Sequence, residues 1–241
     1  MPAAGHARRL GEIEHSKELL SIKSPADEQP VCANLLRQFR QADAGRACIV
    51  SRHAKVDIPA SLGSGEQYGL ALQYSFVEHS PSVPHTINAA YGEIKNKEVL
   101  FGFPDILIKP ANALQTLAAK RSAANSDVML GLFPSTQPEK VDMVDYDSHG
   151  RLRAIVIKDP ACTLRETWLL AVWNARFTDW LQHWVEDRNT DSAEEPQLGR
   201  AFCAAITQGL QVDTYLFPNG EYLDIGTPDD LAVAQQKIWG L

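Results

Sequence analysis

The first candidate for chemistry is a run of small residues followed by cations. Residues 3–10 read AAGHARRL, with Gly5 near the centre and two arginines, Arg8 and Arg9, close to the end. Lys17 follows a few positions later. Small residues allow backbone amides to approach a phosphate closely, and fixed cations neutralise its charge. Chain ends are also commonly poorly ordered, so this stretch alone leaves both interpretations open.

Two aspartates further along the chain could bind a divalent cation. Asp105 follows the apolar run 101–104 (FGFP), which is typical of a strand that ends at a ligand-binding edge. Asp224 lies on a second apolar run, just before a helix start indicated by Thr227 and Pro228. Carboxylate oxygens suit Mg²⁺, which proteins usually hold with one or two carboxylates and substrate phosphates. Taken alone, each aspartate is more commonly a turn or capping residue.

The elements that must position these residues alternate along the chain. Strand-like apolar runs and helical spacing predict strands at 47–51, 71–77, 98–103, 127–133, 168–173 and 212–217, and helices at 30–41, 87–94, 111–120, 175–187, 197–209 and from 228 onward. Residues 140–157 predict a hairpin that turns at 148–150 (SHG). We therefore predict an α/β fold with a doubly wound, mainly parallel, Rossmann-like sheet, helices on both faces and a small antiparallel extension. Ligands of such sheets bind at the carboxyl ends of the strands.

Composition limits the class of protein. The chain has 241 residues, 44% of them hydrophobic, and a formal net charge of −7. An acidic chain argues against a general nucleic-acid binder, which would carry a basic face. No apolar run approaches the length of about 20 residues that crosses a membrane, and we expect no secretory leader before the first loop. The four cysteines form no CxxC pair, so we expect a cytoplasmic protein with reduced thiols and no zinc site.

Together these motifs resemble a known family. AAGHARRL followed by SKELLSI is similar to the glycine-rich signature of the sugar-nucleotide pyrophosphorylases, a group of sugar-1-phosphate nucleotidyltransferases. GFPD resembles their mid-chain metal aspartate, and EYLDIGTPDDL resembles their late DIGTP element. The likeness runs over nearly the whole chain in the family's order. The resemblance is to members of the glucose-1-phosphate thymidylyltransferase or uridylyltransferase kind.

The resemblance implies a Mg²⁺-dependent reaction between a sugar 1-phosphate and a nucleoside triphosphate, which gives a nucleotide-sugar and pyrophosphate. Arg9 and Lys17 would be catalytic, because they would hold the leaving pyrophosphate and the other phosphates. Asp105 and Asp224 would share the metal, and Lys158 of the IKDP stretch would contact the sugar substrate. The residues that would cradle the nucleotide are Ala4, Gly5, His6, Ala7 and Arg8.

Departures from the family pattern keep alternatives open. Ala7 and Arg8 replace a glycine and a threonine of the signature, which motivates a catalytically weak nucleotide- or sugar-binding regulatory relative as an alternative. A cytidylyltransferase acting on a non-sugar phosphate is a second alternative. Only Met1 and Pro2 precede the loop, so we expect residues 1–241 to form a single nucleotidyltransferase domain without its first β-strand. The base, the sugar and a homo-oligomeric state are left open.

Overall fold

The computed structural model describes residues 1–5, 15–23, 28–188 and 196–236. The chain forms two compact units. The first consists of Met1–Ser80, Gly102–Gln115 and Glu221–Leu241, and the second of Pro81–Phe101 and Thr116–Gly220.

Strands and helices alternate through much of the described chain. The strands are β1 (Ser21–Lys23), β2 (Glu28–Pro30), β3 (Arg46–Arg52), β4 (Ala71–Val77), β5 (Val99–Gly102), β6 (Ile106–Lys109), β7 (Val128–Pro134), β8 (Met143–Tyr146), β9 (Leu152–Val156), β10 (Glu166–Trp173), β11 (Val212–Leu216) and β12 (Glu221–Asp224). The α-helices are α1 (Ala33–Gln41), α2 (Asp57–Leu62), α3 (Val83–Asn88), α4 (Tyr91–Ile94), α5 (Ala113–Ala124), α6 (Ala175–Arg188), α7 (Leu198–Thr207) and α8 (Pro228–Gln236). Short 3-10 helices cover Lys17–Leu19 and Glu66–Tyr68.

Parallel pairing in the first unit places residues 1–3, just before Gly5, beside β3. β3 and β4 pair in parallel from Arg46 opposite Ala71 onward. Pro2 forms a parallel bridge with Val50 of β3, and the backbone N–H of Ala3 donates to the Val50 oxygen at 2.8 Å. Residues 1–3 therefore lie beside β3 in the place where the family resemblance expects a strand to end.

An antiparallel pair in the first unit places Asp224 next to the segment that begins at Asp105. β12 and β6 pair so that Asp224 lies opposite Ile106. The hydrophobic face of this pair joins a buried cluster with residues of β1, α8 and the segment before α1: Ile22, Val31, Leu107, Ile225 and Ala234. Asn34 of α1 exchanges hydrogen bonds with the Ile108 backbone at 3.1 and 3.4 Å, which fixes α1 against β6.

The second unit contains a mixed sheet. Its strand order is β11-β7-β10-β8-β9, and β5 pairs with β10. β11 and β7 are parallel, whereas β10 is antiparallel to β7 and to β8. β7 and β10 are buried along nearly their whole length, as expected for apolar strands in the centre of a sheet.

The predicted α/β class is confirmed, although the pairing is more mixed than a mainly parallel sheet. The hairpin turns where expected, with Gly150 at φ +80°. α8 begins at Pro228, and the Thr227 hydroxyl accepts the Asp230 N–H at 3.3 Å as its N-terminal cap. The helix predicted at 87–94 is two short helices, α3 and α4. Among the described residues, no helix combines the length and hydropathy of a membrane span.

Candidate functional site

An ion pair joins two residues that the sequence singled out. Lys17 begins the 3-10 helix Lys17–Leu19, and Asp105 lies just before β6 in the same unit. The Lys17 ammonium donates a hydrogen bond to Asp105 Oδ2. Their side chains are 21% and 14% exposed, so the pair is largely shielded from water but still reachable from solvent. β5 ends at Gly102, before Asp105, and β6 begins at Ile106, directly after it.

Asp224 supplies a second carboxylate beside this pair. It is the last residue of β12 and lies opposite Ile106, the residue that follows Asp105. The backbone N–H of Ile225 donates to the backbone oxygen of Asp105 at 2.9 Å. Residues 105 and 224 are therefore brought to the same end of the β6–β12 pair.

Gly5 completes the arrangement from the chain start. A Cβ atom at this position would lie 3.8 Å from Lys17 Cε and 3.9 Å from its Nζ. The ammonium thus lies over a residue that has no side chain and is exposed. Ala3 and Ala4, just before it, are buried. A small residue under a cation leaves room for a phosphate to approach the backbone and the charge together.

The electrostatics keep Lys17 charged. Burial acts to lower the pKa of the Lys17 ammonium. The charges of Asp105, Glu18 and Asp224 outweigh that effect, so the pKa lies above its usual value. An ammonium that stays charged can exchange its contact with Asp105 for phosphate oxygens when an anion arrives.

Asp105 and Asp224 suit a hard divalent cation only if water or substrate supplies further ligands. Asp105 and Asp224 offer carboxylate oxygens, the donors that Mg²⁺ prefers. Within the described ranges, no cluster of three or more histidine, cysteine, aspartate or glutamate side chains could hold a metal ion. The two carboxylates therefore fit a cation whose remaining ligands are water or substrate phosphates.

The other predicted site residues are placed as follows. Lys158 lies in the second unit, is exposed and has φ +42°. Burial raises the pKa of the Asp142 carboxyl in that unit, and the Lys158 charge acts against this shift. Ala4 lies in the described part of the chain, next to Gly5. The remaining loop residues lie outside the described residues: His6, Ala7, Arg8 and Arg9.

Sequence reasoning missed the residues that hold the Lys17 segment. Glu18 is fully buried and pairs with Lys55, while Asp57 accepts hydrogen bonds from Ser16. A glutamate and a lysine 37 positions apart show no local pattern that would have indicated a pair.

Comparisons with known proteins give relatives that match over nearly the whole chain. The chain is 24% identical over 239 residues to the bifunctional protein GlmU of Dinoroseobacter shibae, which covers 98% of the chain and 51% of that protein. It is 19% identical to the low-salt glycan biosynthesis nucleotidyltransferase Agl11 of Haloferax volcanii, over 98% of the chain and 64% of the relative. The chain thus spans less than two thirds of the length of either relative. No family model matches the chain.

Solved structures show the same fold. A Bacillus anthracis protein assigned as a glucose-1-phosphate thymidylyltransferase, in complex with sucrose, superposes with a TM-score of 0.82 at 15% identity, covering 100% of this chain and 96% of that one. UDP-glucose pyrophosphorylase from Acinetobacter baumannii superposes with a TM-score of 0.76 at 15% identity, covering 97% and 90%. The resemblance inferred from the motifs is confirmed, because the proteins that this chain resembles are sugar nucleotidyltransferases and pyrophosphorylases.

Proposed function

We propose that the protein is a nucleotidyltransferase that joins a sugar 1-phosphate to a nucleoside triphosphate and releases pyrophosphate. The observation that carries this proposal is the convergence of Gly5, Lys17, Asp105 and Asp224 in one unit. The similar proteins support it, since one is named a nucleotidyltransferase and another has been solved as a UTP-bound UDP-glucose pyrophosphorylase. We place the protein in the cytoplasm, where nucleoside triphosphates are available.

The reaction needs charge neutralisation and alignment more than covalent chemistry by the protein. An oxygen of the sugar phosphate attacks the α-phosphorus, a new P–O bond forms, and the bond to the β-phosphate oxygen breaks. The leaving pyrophosphate takes the electron pair of that bond, so no side chain has to transfer a proton. The Lys17 ammonium neutralises phosphate charge, and the backbone around Gly5 offers amide donors.

Asp105 and Asp224 would hold a Mg²⁺ ion together with phosphate oxygens of the substrate. A bound Mg²⁺ would neutralise charge that develops on the phosphates. The protein's own contribution is to fix the two carboxylates through the β6–β12 pairing. Lys17, which pairs with Asp105 in this structure, is then available to the phosphates.

The remaining predicted residues complete the proposal. Arg9 would hold the leaving pyrophosphate, and Lys158 would contact the sugar substrate. The nucleotide phosphates would lie against a loop made of Ala4, Gly5, His6, Ala7 and Arg8.

A pyrophosphate-release assay with each common triphosphate and a panel of sugar 1-phosphates tests the proposal. We expect release with at least one pair, and a loss of about 10²-fold or more in Asp105→Asn, because an oriented charge is removed. Asp229→Asn is the matched control, since this exposed aspartate in the first turn of α8 lies in the same unit. Triphosphate binding without release by any pair would instead support the regulatory alternative.

A further inference from the structure

A buried ion pair lies directly behind Lys17. The Lys55 ammonium donates to Glu18 Oε1 at 2.9 Å, to Glu18 Oε2 at 2.8 Å and to the Ala3 backbone oxygen at 2.8 Å. Glu18 is 0% exposed and Lys55 is 6% exposed. All three N–H donors of the ammonium are thus used inside the protein.

Removing these two charges from water costs free energy. Burial raises the pKa of Glu18 and lowers the pKa of Lys55, and in each case the partner's charge acts against the shift. Two apolar residues of similar volume commonly stabilise a fold as well as a buried ion pair does. The pair therefore calls for an explanation beyond stability.

The three acceptors of Lys55 belong to the two segments that form the candidate site. Glu18 is the neighbour of Lys17, and Ala3 lies two residues before Gly5. A single side chain thus links the segment that carries the cation to the segment that carries the small residues. The segment with Lys55 follows β3, the strand against which residues 1–3 pair.

A second anchor lies on the other side of Lys17. The backbone N–H and the hydroxyl of Ser16 donate to the two carboxylate oxygens of Asp57 at 2.6 and 2.8 Å. Lys17 is therefore flanked by two residues that are fixed to Lys55 and Asp57, which lie after β3 and at the start of α2. Its backbone cannot move away from Gly5 without breaking one of these contacts.

We propose that Lys55, acting through Glu18 and the Ala3 backbone, is a positioning residue that holds Lys17 over Gly5 in the geometry for phosphate transfer. This inference rests on the proposed function. Lys55 acts through Lys17 and needs no contact with the substrate.

A double-mutant cycle between Lys55 and Lys17 tests the inference. Lys55→Met is measured in the wild-type and in the Lys17→Ala background, by steady-state pyrophosphate release below the unfolding transition of each variant. A misplaced group can cost about 10²-fold in rate, so we expect a loss in kcat of that size with wild-type Lys17. In the Lys17→Ala background we expect no further loss. The same fold-loss in both backgrounds would overturn the inference, because a general structural defect does not depend on Lys17.

An apolar pair separates positioning from stability. Glu18→Leu combined with Lys55→Met removes both charges and leaves no buried charge unpaired, so this variant should fold if either single variant does not. We expect it to unfold like the wild type and still to lose kcat, because the hydrogen bond to Ala3 and the fixed position of residue 18 are gone. Wild-type kcat in this folded variant would refute the positioning role.

A binding measurement keeps the inference separate from the proposed function. Calorimetric titration with inorganic pyrophosphate is carried out on the same four proteins of the cycle. If the wild type transfers no nucleotide, the proposed function fails, and the cycle in pyrophosphate affinity still decides the positioning role. Weaker binding of Lys55→Met only when Lys17 is present supports the inference, and equal weakening in both backgrounds contradicts it.

Discussion

The backbone N–H of Ile225 donates a hydrogen bond to the backbone oxygen of Asp105 at 2.9 Å. This bond continues the β6–β12 ladder by one step beyond Asp224 and Ile106. It fixes the alignment of the two segments that carry the acidic side chains. A shift of this pairing by one residue would turn Asp224 to the opposite face of the strand.

Asp224→Asn tests whether both carboxylates hold the metal. We expect the Mg²⁺ concentration for half-maximal pyrophosphate release to rise, and the rate at saturating Mg²⁺ to fall by about 10²-fold, because one anionic ligand is lost. The measurement is the rate of release over a Mg²⁺ titration, with Asp229→Asn as the control. An unchanged titration curve would count against a metal role for Asp224.

The contacts of Asp57 predict a pH-dependent stability difference. Burial acts to raise the pKa of this carboxyl, but hydrogen bonds from Ser16 and from nearby backbone N–H groups outweigh it, so the pKa is lowered from its usual 3.8. A lowered folded-state pKa means that the contribution is present above pH 3.8 and is lost as the pH falls through the folded-state value. Asp57→Asn should therefore be less stable than wild type near neutral pH.

Urea unfolding at several pH values between 7 and the acid limit of folding measures this difference. The difference in the free energy of unfolding between wild type and Asp57→Asn is expected to be small, because Asp57 is only partly buried. This difference should shrink as the pH falls. Glu139→Gln is the control, as Glu139 is exposed in the second unit. A gap that stays constant down to the lowest pH would contradict the prediction.

Gly220 is predicted to admit no side chain. A Cβ atom there would lie 2.6 Å from Cδ1 of Phe133 and 2.9 Å from Cβ of Phe217, two rings that stack with centroids 5.2 Å apart. We expect Gly220→Ala to lower the free energy of unfolding by about 1–3 kcal/mol, as overpacking does.

Gly92→Ala is the matched control for this effect. Gly92 lies in α4, and a Cβ atom there meets nothing within 4 Å. Alanine is favoured over glycine in helices by up to about 1 kcal/mol, so this variant should be as stable as wild type or slightly more stable. Urea denaturation of both variants checks the pair, and equal stability of Gly220→Ala and wild type would show that the two rings can move apart.

The apolar runs that predicted strands are found as strands, but two short strands were missed. β4 has the predicted bounds, and β7 and β10 lie where their apolar runs indicated. β6 and β12 have four residues each and were not predicted as strands. Such a pair is stabilised by its partner and by the cluster around Leu107 and Ile225, so its formation depends on contacts that no local pattern shows.

The candidate site was only partly predictable, because some of its residues depend on contacts between distant segments. Gly5, Lys17, Asp105 and Asp224 have types and an order that indicate phosphate and metal chemistry, and the structure brings them together. Lys55 was not identified, because its role depends on a pairing between distant segments. A lysine before a helix is ordinarily a solvated surface residue, and only the fold shows that this one is buried.

The division of the first unit into three stretches of sequence has a consequence for biosynthesis. Lys17 and Asp105 leave the ribosome well before Asp224, which lies in the last stretch, Glu221–Leu241. Until that stretch is translated, β6 lacks the partner that brings the second carboxylate. A nascent chain can therefore fold much of its second unit while it has no complete acidic pair, and a prematurely terminated product would lack it permanently.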